Sequence, residues 1–332
     1  MIKNFLKNHK IHSKIVPFLD LFFLLRPVGN FAIWVMLCIG MYISQFVPHQ
    51  FGKESELFIT SFNLSTTLLF FGYALLMSSI SMINQIKDKK SDKINKKLFL
   101  VNDRFDDQFV DKLRVIIGII SILILSYVNV FIMILGVLLY LFYGYLYNQD
   151  TLRFKRHPLK GLFCKIIVGI ILIYSGYIHS NGLAQIFDLK LFLLFAPYIL
   201  LFTSVSIMID IPDYAGDQED NVITFAAFSG RKTATYICFI INLLALIISL
   251  KIEDPLSSII IITSLPFFMY AAARGLKKDI LRAIRYPISI INLFTMTIFP
   301  HLFLPVFIIF YLSKYYYWHR FSLHYPTLLV ND

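Results

Sequence analysis

Long apolar stretches separated by short charged segments run the whole length of the chain, at 28–47, 63–83, 114–130, 131–147, 161–179, 190–209, 234–250, 256–273 and 286–312. Each is near the ~20 residues that a helix needs to cross the hydrocarbon core of a bilayer. A segment in lipid must satisfy its own backbone hydrogen bonds, so such stretches read as helices. The third and fourth come from one charge-free run of 33 residues, 115–147. As a single helix that run would be about 50 Å long, against a core of about 30 Å, so a hairpin turning near Ser126–Asn129 is expected. The last stretch contains Pro300 and Pro305, which predicts one kinked span rather than two helices. The expectation is an all-α, polytopic transmembrane bundle of nine helices.

Charge placement tests that count independently. With the N-terminus in the cytoplasm, 25 of the 31 Lys and Arg residues fall in the inner segments. Five fall outside (Lys53, Lys190, Lys251, Lys314 and Arg320), and Lys165 alone lies within a span. Treating 115–147 as one helix would swap the sides of every later loop and collapse the asymmetry. The positive-inside rule therefore selects nine spans, with the N-terminus inside and the C-terminus outside.

Composition agrees. The 332 residues are 58% hydrophobic and 15% charged, with mean hydropathy +0.70, whereas a soluble domain carries about 25% charged residues. A soluble fold, disorder, a disulfide scaffold and a single-span anchor are excluded. The net charge of +11 sits at the ends of spans, where it meets anionic lipid rather than nucleic acid. Cys38, Cys164 and Cys238 all fall inside spans, and neither they nor the eight histidines show a metal-ligand spacing. The basic start lacks an apolar core followed by a small-residue cleavage site, so no cleavable signal peptide is expected. No linker divides the chain, which reads as one domain over 1–332 in a prokaryotic cell membrane.

Two longer connections, 84–113 and 210–233, hold 11 of the 20 acidic residues. In the first, Asn84, Asp88 and Asp92 are spaced four apart where the second span leaves the membrane. A continuing helix would point all three the same way, drifting by about 40° per step. Lys87, Lys89, Lys90 and Lys93 could equally make this a solvated, self-paired face. In the second, Asp210, Asp213 and Asp217 are spaced three and four apart at the end of the sixth span, with Pro212 and Gly216 bending the backbone. Spans two and six have the same parity, so both motifs emerge on one membrane face. Two facing carboxylate clusters suit a hard divalent cation; Mg2+ keeps several waters and is usually shared with substrate phosphates. Such a site would neutralise a diphosphate and stabilise it as a leaving group. Arg26, Tyr147, Arg153 and Lys155 lie on the same side. Arginine suits bidentate phosphate binding, although each residue taken singly reads equally well as juxtamembrane charge.

With these motifs in place the sequence resembles the UbiA superfamily of intramembrane prenyltransferases. The family's NxxxDxxxD motif corresponds to Asn84, Asp88 and Asp92. Its DxxxD motif corresponds to Asp213 and Asp217, with Asp210 preceding, and its YSxPPxRLK stretch is similar to the run from Tyr147 to Lys155. Arg26-Pro27 matches the family's opening Arg-Pro. The motifs look most like the homogentisate prenyltransferase and chlorophyll synthase branch, but depart from it at Ile209, at Asp150-Thr151 in place of Pro-Pro, and in lacking a proline after Lys96.

The resemblance implies nine transmembrane helices and a Mg2+-dependent transfer. A prenyl group would pass from an allylic prenyl diphosphate to an aromatic (homogentisate- or hydroxybenzoate-like) or other lipophilic acceptor, releasing pyrophosphate, as in quinone biosynthesis. It implies that Asp88, Asp92, Asp213 and Asp217 bind Mg2+, supported by Asn84 and Asp210. Arg26, Arg153 and Lys155 would hold the diphosphate, while Tyr143 and Tyr147 line the site, with Tyr147 able to contact the diphosphate instead. The rival reading is a polytopic transporter. Transporters place ionisable groups near the bilayer midplane, and here only Lys165 is a candidate.

Overall fold

The computed structural model describes residues 10–50, 63–94 and 104–330. Lys3, Lys7, Lys53, Lys96 and Lys97, which enter the charge balance above, lie outside those residues. Fourteen α-helices and no strand occur among the described residues. An N-terminal helix α1 (Lys10–Leu24) leads through the 3-10 turn Pro27–Gly29 into α2 (Asn30–Gln50). Next come α3 (Leu64–Lys87), the short α4 (Lys89–Ile94), α5 (Asp107–Val128) and α6 (Val130–Leu139), which continues as a π-helical segment, Tyr140–Leu146. The second half comprises α7 (Pro158–Asn181), α8 (Leu189–Asp210), the short α9 (Tyr214–Glu219) and α10 (Phe225–Ser229), α11 (Arg231–Lys251) and α12 (Pro255–Arg274). It closes with α13 (Lys277–Ile298) and α14 (Phe303–Phe321). By length and composition, six helices among the described residues can cross a membrane: Pro27–Gln45, α3, α7, α8, α11 and α12. The protein is an integral membrane protein.

Helix starts follow local chemistry. Asn63 caps α3 by accepting the Thr66 N–H at 2.8 Å, and Asp106 caps α5 by accepting that of Phe109 at 2.9 Å. The expected hairpin turns on one residue. Asn129 is extended (φ −169°, ψ 137°), its N–H closes α5 on the Leu125 carbonyl at 3.0 Å, and its side chain accepts from Phe131 N–H at 2.8 Å to open α6. The two arms pack antiparallel, with Gly136 against Leu125 and Gly118 facing Tyr140.

The centre of the bundle is set by contact between the backbones of α2 and α7. A Cβ added at Gly40 would stand 2.0 Å from the Ile173 carbonyl oxygen, and one at Gly176 would stand 1.9 Å from that of Leu37. Only glycine permits this approach, which is the usual route to close helix packing where lipid supplies no hydrophobic drive. At the end of the bundle away from the acidic motifs, the fully buried Asp254 caps α12 through the N–H groups of Leu256 and Ser257. It also accepts the hydroxyls of Tyr42 at 2.8 Å and Tyr198 at 2.7 Å, tying α2 and α8 to α12.

The C-terminal region departs from the sequence expectation. The stretch 286–312 is two helices, not one kinked span. Pro300 lacks the N–H that would continue α13, and Phe299 leaves helical geometry at φ −115°, ψ 78°. Pro305 sits in the first turn of α14, where proline is tolerated. The chain reverses there, and α14 brings Tyr316 back to α1, whose Asp20 accepts its hydroxyl at 2.5 Å. Beyond it, Arg285 near the start of α13 donates to the Leu329 carbonyl at 2.5 Å. The C-terminal segment therefore lies at the same end as α1, not the opposite one. Lys314 and Arg320 move with it. Helix α1, the split of 286–312 and the short α4, α9 and α10 account for the helix count above nine.

Candidate active site

Two long helices run toward the same end of the bundle and stop there. Helix α3 ends at Lys87, and Asp88 is its C-cap (φ −102°, ψ 17°). The register survives the break. The Asp88 N–H bonds the Asn84 carbonyl and the Asp92 N–H bonds the Asp88 carbonyl, both at 2.8 Å. Asn84, Asp88 and Asp92 thus stay on one side although α3 and α4 are separate helices. Helix α8 ends at Asp210. After the Ile211–Pro212 turn, Asp213 opens α9, where the Asp217 N–H bonds the Asp213 carbonyl at 3.1 Å.

Both motifs line one cavity of about 420 Å³. Every residue singled out from the sequence borders it except Arg153, which stands behind, its guanidinium 3.6 Å from Asp88 and 3.9 Å from Asp220. The deeper wall is apolar: Ile33, Met77, Val168, Leu172 and Phe202. Tyr143 and Tyr147 border the cavity together, with ring centroids 4.9 Å apart at 40°. They lie four residues apart on and just after the π-helical segment, a distortion that recurs at functional sites.

The cations of the site are engaged by its carboxylates. Lys155 contacts Asp88, Arg26 stands 3.6 Å from Asp92, and the Lys165 ammonium reaches both Asp210 oxygens at 2.5 and 2.7 Å. Burial holds the Lys155 ammonium below the ordinary lysine value of 10.5, with the Asp88 charge opposing. Two of these cations sit on strained backbone: Arg26 has φ 52° and Arg153 φ 28°. Positive φ costs a side-chain-bearing residue energy, and such outliers cluster at functional sites.

Sequence reasoning assigned no role to Lys165 or Asp220. A single lysine in an otherwise charge-free span was the available signal for Lys165, since an ionisable group there is rarely idle. Asp220 carried no comparable mark.

Among the described residues no group of three His, Cys, Asp or Glu side chains could by itself hold a metal ion. Mg2+ takes one or two carboxylates and completes its shell with water and substrate phosphate. The Asn84 Oδ1 atom is buried without a hydrogen-bond partner, an acceptor in want of a positive or donor group. The donor set, all oxygen and mostly carboxylate, fits a hard divalent ion shared with a polyphosphate. Asp88, Asp92, Asp213 and Asp217 are the residues that could hold it.

A protein-family model for the UbiA prenyltransferase family matches residues 54–286, a stretch that includes both acidic motifs. No curated protein sequence matches the chain. Among solved structures, a UbiA homologue from Archaeoglobus fulgidus bound to GPP and Mg2+ is 15% identical with a TM-score of 0.63, over 84% of this chain and 99% of that one. A structure of digeranylgeranylglyceryl phosphate synthase is 23% identical with a TM-score of 0.54, over 89% and 98%. The apo UbiA homologue from Aeropyrum pernix K1 is 15% identical with a TM-score of 0.57, over 81% and 96%. At these identities the likeness is one of fold.

Proposed function

We propose, from the premise that the chain belongs to the UbiA prenyltransferase family, that it moves a prenyl group from an allylic prenyl diphosphate to an aromatic (homogentisate- or hydroxybenzoate-like) or other lipophilic acceptor in a Mg2+-dependent reaction. The observation that supports this most is the meeting of two acidic motifs, from helices far apart in sequence, on one cavity whose deeper wall is apolar. That polarity gradient matches an amphiphile with a charged head and a hydrocarbon tail. Archaeoglobus fulgidus UbiA homologues hold GPP with Mg2+ and DMAPP with Mg2+.

Each residue then has a task. Asp88, Asp92, Asp213 and Asp217 hold Mg2+, which when bound neutralises the diphosphate as a leaving group. Arg26 and Lys155 exchange their carboxylate partners for diphosphate oxygens, with Arg153 backing Asp88 and Asp220. Asn84 and Asp210 support the two motifs. Ile33, Met77, Val168, Leu172 and Phe202 house the isoprenoid and keep water from the allylic carbon. As the C–O bond breaks, positive charge spreads over the allyl group, and the aromatic rings of Tyr143 and Tyr147, which border the cavity, stabilise it. The acceptor supplies the electron pair for the new bond and loses a proton, and pyrophosphate leaves. The excess of Lys and Arg at this end favours an N-terminus and a site mouth on the cytoplasmic side.

The test is pyrophosphate release by the protein in lipid, offered C10 to C20 prenyl diphosphates with aromatic and isoprenoid acceptors, with and without Mg2+. Release that requires Mg2+ and is abolished by Asp88→Ala and by Asp213→Ala is expected. Diphosphate binding indifferent to both substitutions would overturn the assignment.

A further inference from the structure

Helices α1 and α14 meet beside the site. Helices α1 and α14 both lie outside the stretch matched by the family model, 54–286. They pack with α3 and α5 into a second apolar core built on Leu19, Phe23, Leu24, Met82, Val110 and Tyr316. Within it Asp20 is 1% exposed. It accepts the Tyr316 hydroxyl at 2.5 Å and the Arg320 Nε at 3.4 Å on one oxygen, and Arg104 stands 3.4 Å from the other. One turn on, Phe23 stacks on the Tyr316 ring at 4.1 Å and 10°.

This junction leads directly into Arg26. The Arg26 N–H bonds the Phe23 carbonyl at 3.1 Å. The Leu24 and Leu25 carbonyls just before it are taken by Gln85 at 3.1 Å and Ser78 at 2.9 Å, both on the helix that carries Asn84. Arg26 itself is left-handed (φ 52°, ψ 55°) and followed by proline, which narrows its choices further. A side-chain-bearing residue keeps such a backbone only where its surroundings over-determine it. The surroundings are α3 on one side and the α1–α14 junction on the other. From that position the guanidinium reaches Asp92 at the cavity.

We propose that Asp20 and Tyr316 are positioning residues for Arg26: they clasp α1 to α14 and so fix the backbone from which Arg26 meets the prenyl diphosphate. The C-terminal helix is on this account a component of the substrate-binding apparatus. The inference rests on the reading of Arg26 as a diphosphate ligand.

The experiment is equilibrium binding of geranyl diphosphate with Mg2+ to the full-length protein in lipid nanodiscs, for Arg26→Ala, Asp20→Asn, Tyr316→Phe and each clasp variant combined with Arg26→Ala. Arg26→Ala is expected to weaken binding by about tenfold or more, the effect of losing one charge-assisted contact. Asp20→Asn and Tyr316→Phe each weaken it roughly three- to tenfold alone, and by less than about twofold when Arg26 is already alanine, because coupled residues are not additive. Tyr316→Phe removes one hydroxyl and keeps the stacked ring, so it remains informative if Asp20→Asn fails to fold. Clasp variants that bind as wild type, or whose effects multiply with that of Arg26→Ala, overturn the clasp and leave the Arg26 assignment standing. Arg26→Ala binding like wild type overturns both.

Discussion

Lys165 is the sharpest place to test the site physically. Its ammonium lies 2.5 and 2.7 Å from the two Asp210 oxygens, and the two side chains are only 14% and 15% exposed. Two unit charges about 4 Å apart attract by about 4 kcal/mol at an effective dielectric constant near 20. Desolvation offsets much of this while the pair is whole, but removing one partner strands the other. Breaking a buried pair costs about 3–5 kcal/mol. Lys165→Met should therefore destabilise the protein by about 3 kcal/mol, and Asp210→Asn should cost a comparable amount. The double variant, with no charge left unpaired, should recover most of the loss. Unfolding of the four proteins in one detergent gives the cycle directly: with each single change costing about 3 kcal/mol and the double about 1 kcal/mol, the expected coupling is about 5 kcal/mol. Single losses that simply add, with coupling below about 0.5 kcal/mol, would show that water reaches the pair freely and that the wall between α7 and α8 is not dry.

Chelating Mg2+ should abolish geranyl diphosphate binding to the wild type, measured by titration in nanodiscs; tight binding without a divalent ion would contradict the roles given to Asp88, Asp92, Asp213 and Asp217. Gly176→Ala places a methyl 1.9 Å from the Leu37 carbonyl oxygen and must push the backbones of α2 and α7 away from each other, at a cost of about 3 kcal/mol in a thermal melt, the upper end for overpacking. Gly29→Ala, with nothing within 4 Å of the added Cβ, is the control and should melt near wild type. The Lys87 hydrogen bond holds the Asp150 carboxyl below its usual 3.8. Its contribution is thus present above that pH and lost as the pH falls through the lowered value. Because Asp150 is 60% exposed, Asp150→Asn should cost under about 0.5 kcal/mol near neutrality, and the difference should vanish in melts taken well below pH 3.8.

The fold was readable where charge and span length constrained it. A 33-residue charge-free run is too long for one crossing, and the structure turns at Asn129, inside the predicted window. The acidic motifs were readable because helical spacing survives at Asp88 even though the helix itself breaks there. The reversal at Pro300 was not. Two prolines five residues apart fit a kink as well as a stop, and only Lys314 and Arg320 marked the side of the C-terminus. Asp20 and Tyr316 are 296 residues apart, and nothing local announces that they touch. Lys165 was visible as an anomaly but not as the partner of Asp210, since pairing depends on how α7 faces α8. The left-handed backbone of Arg26 was likewise hidden: Pro27 narrows its choices without selecting this one, and Ser78 and Gln85, which hold the Leu25 and Leu24 carbonyls just before it, lie far off in sequence.

Helices α3 and α8 both point their C-termini at the cavity. That end of a helix carries the equivalent of about half a negative charge and carbonyls without intrahelical partners. Proteins that capture phosphate on backbone alone use the other end. A diphosphate bound as proposed would therefore meet two unfavourable helix ends, offset by charges that can be withdrawn: a metal ion that exchanges with water, and the Lys155, Lys165 and Arg26 side chains, which have carboxylates to return to. In the proposed reaction, pyrophosphate would be left facing those two helix ends once the prenyl carbon had gone. The direction in which the two helices run would in that case favour product discharge.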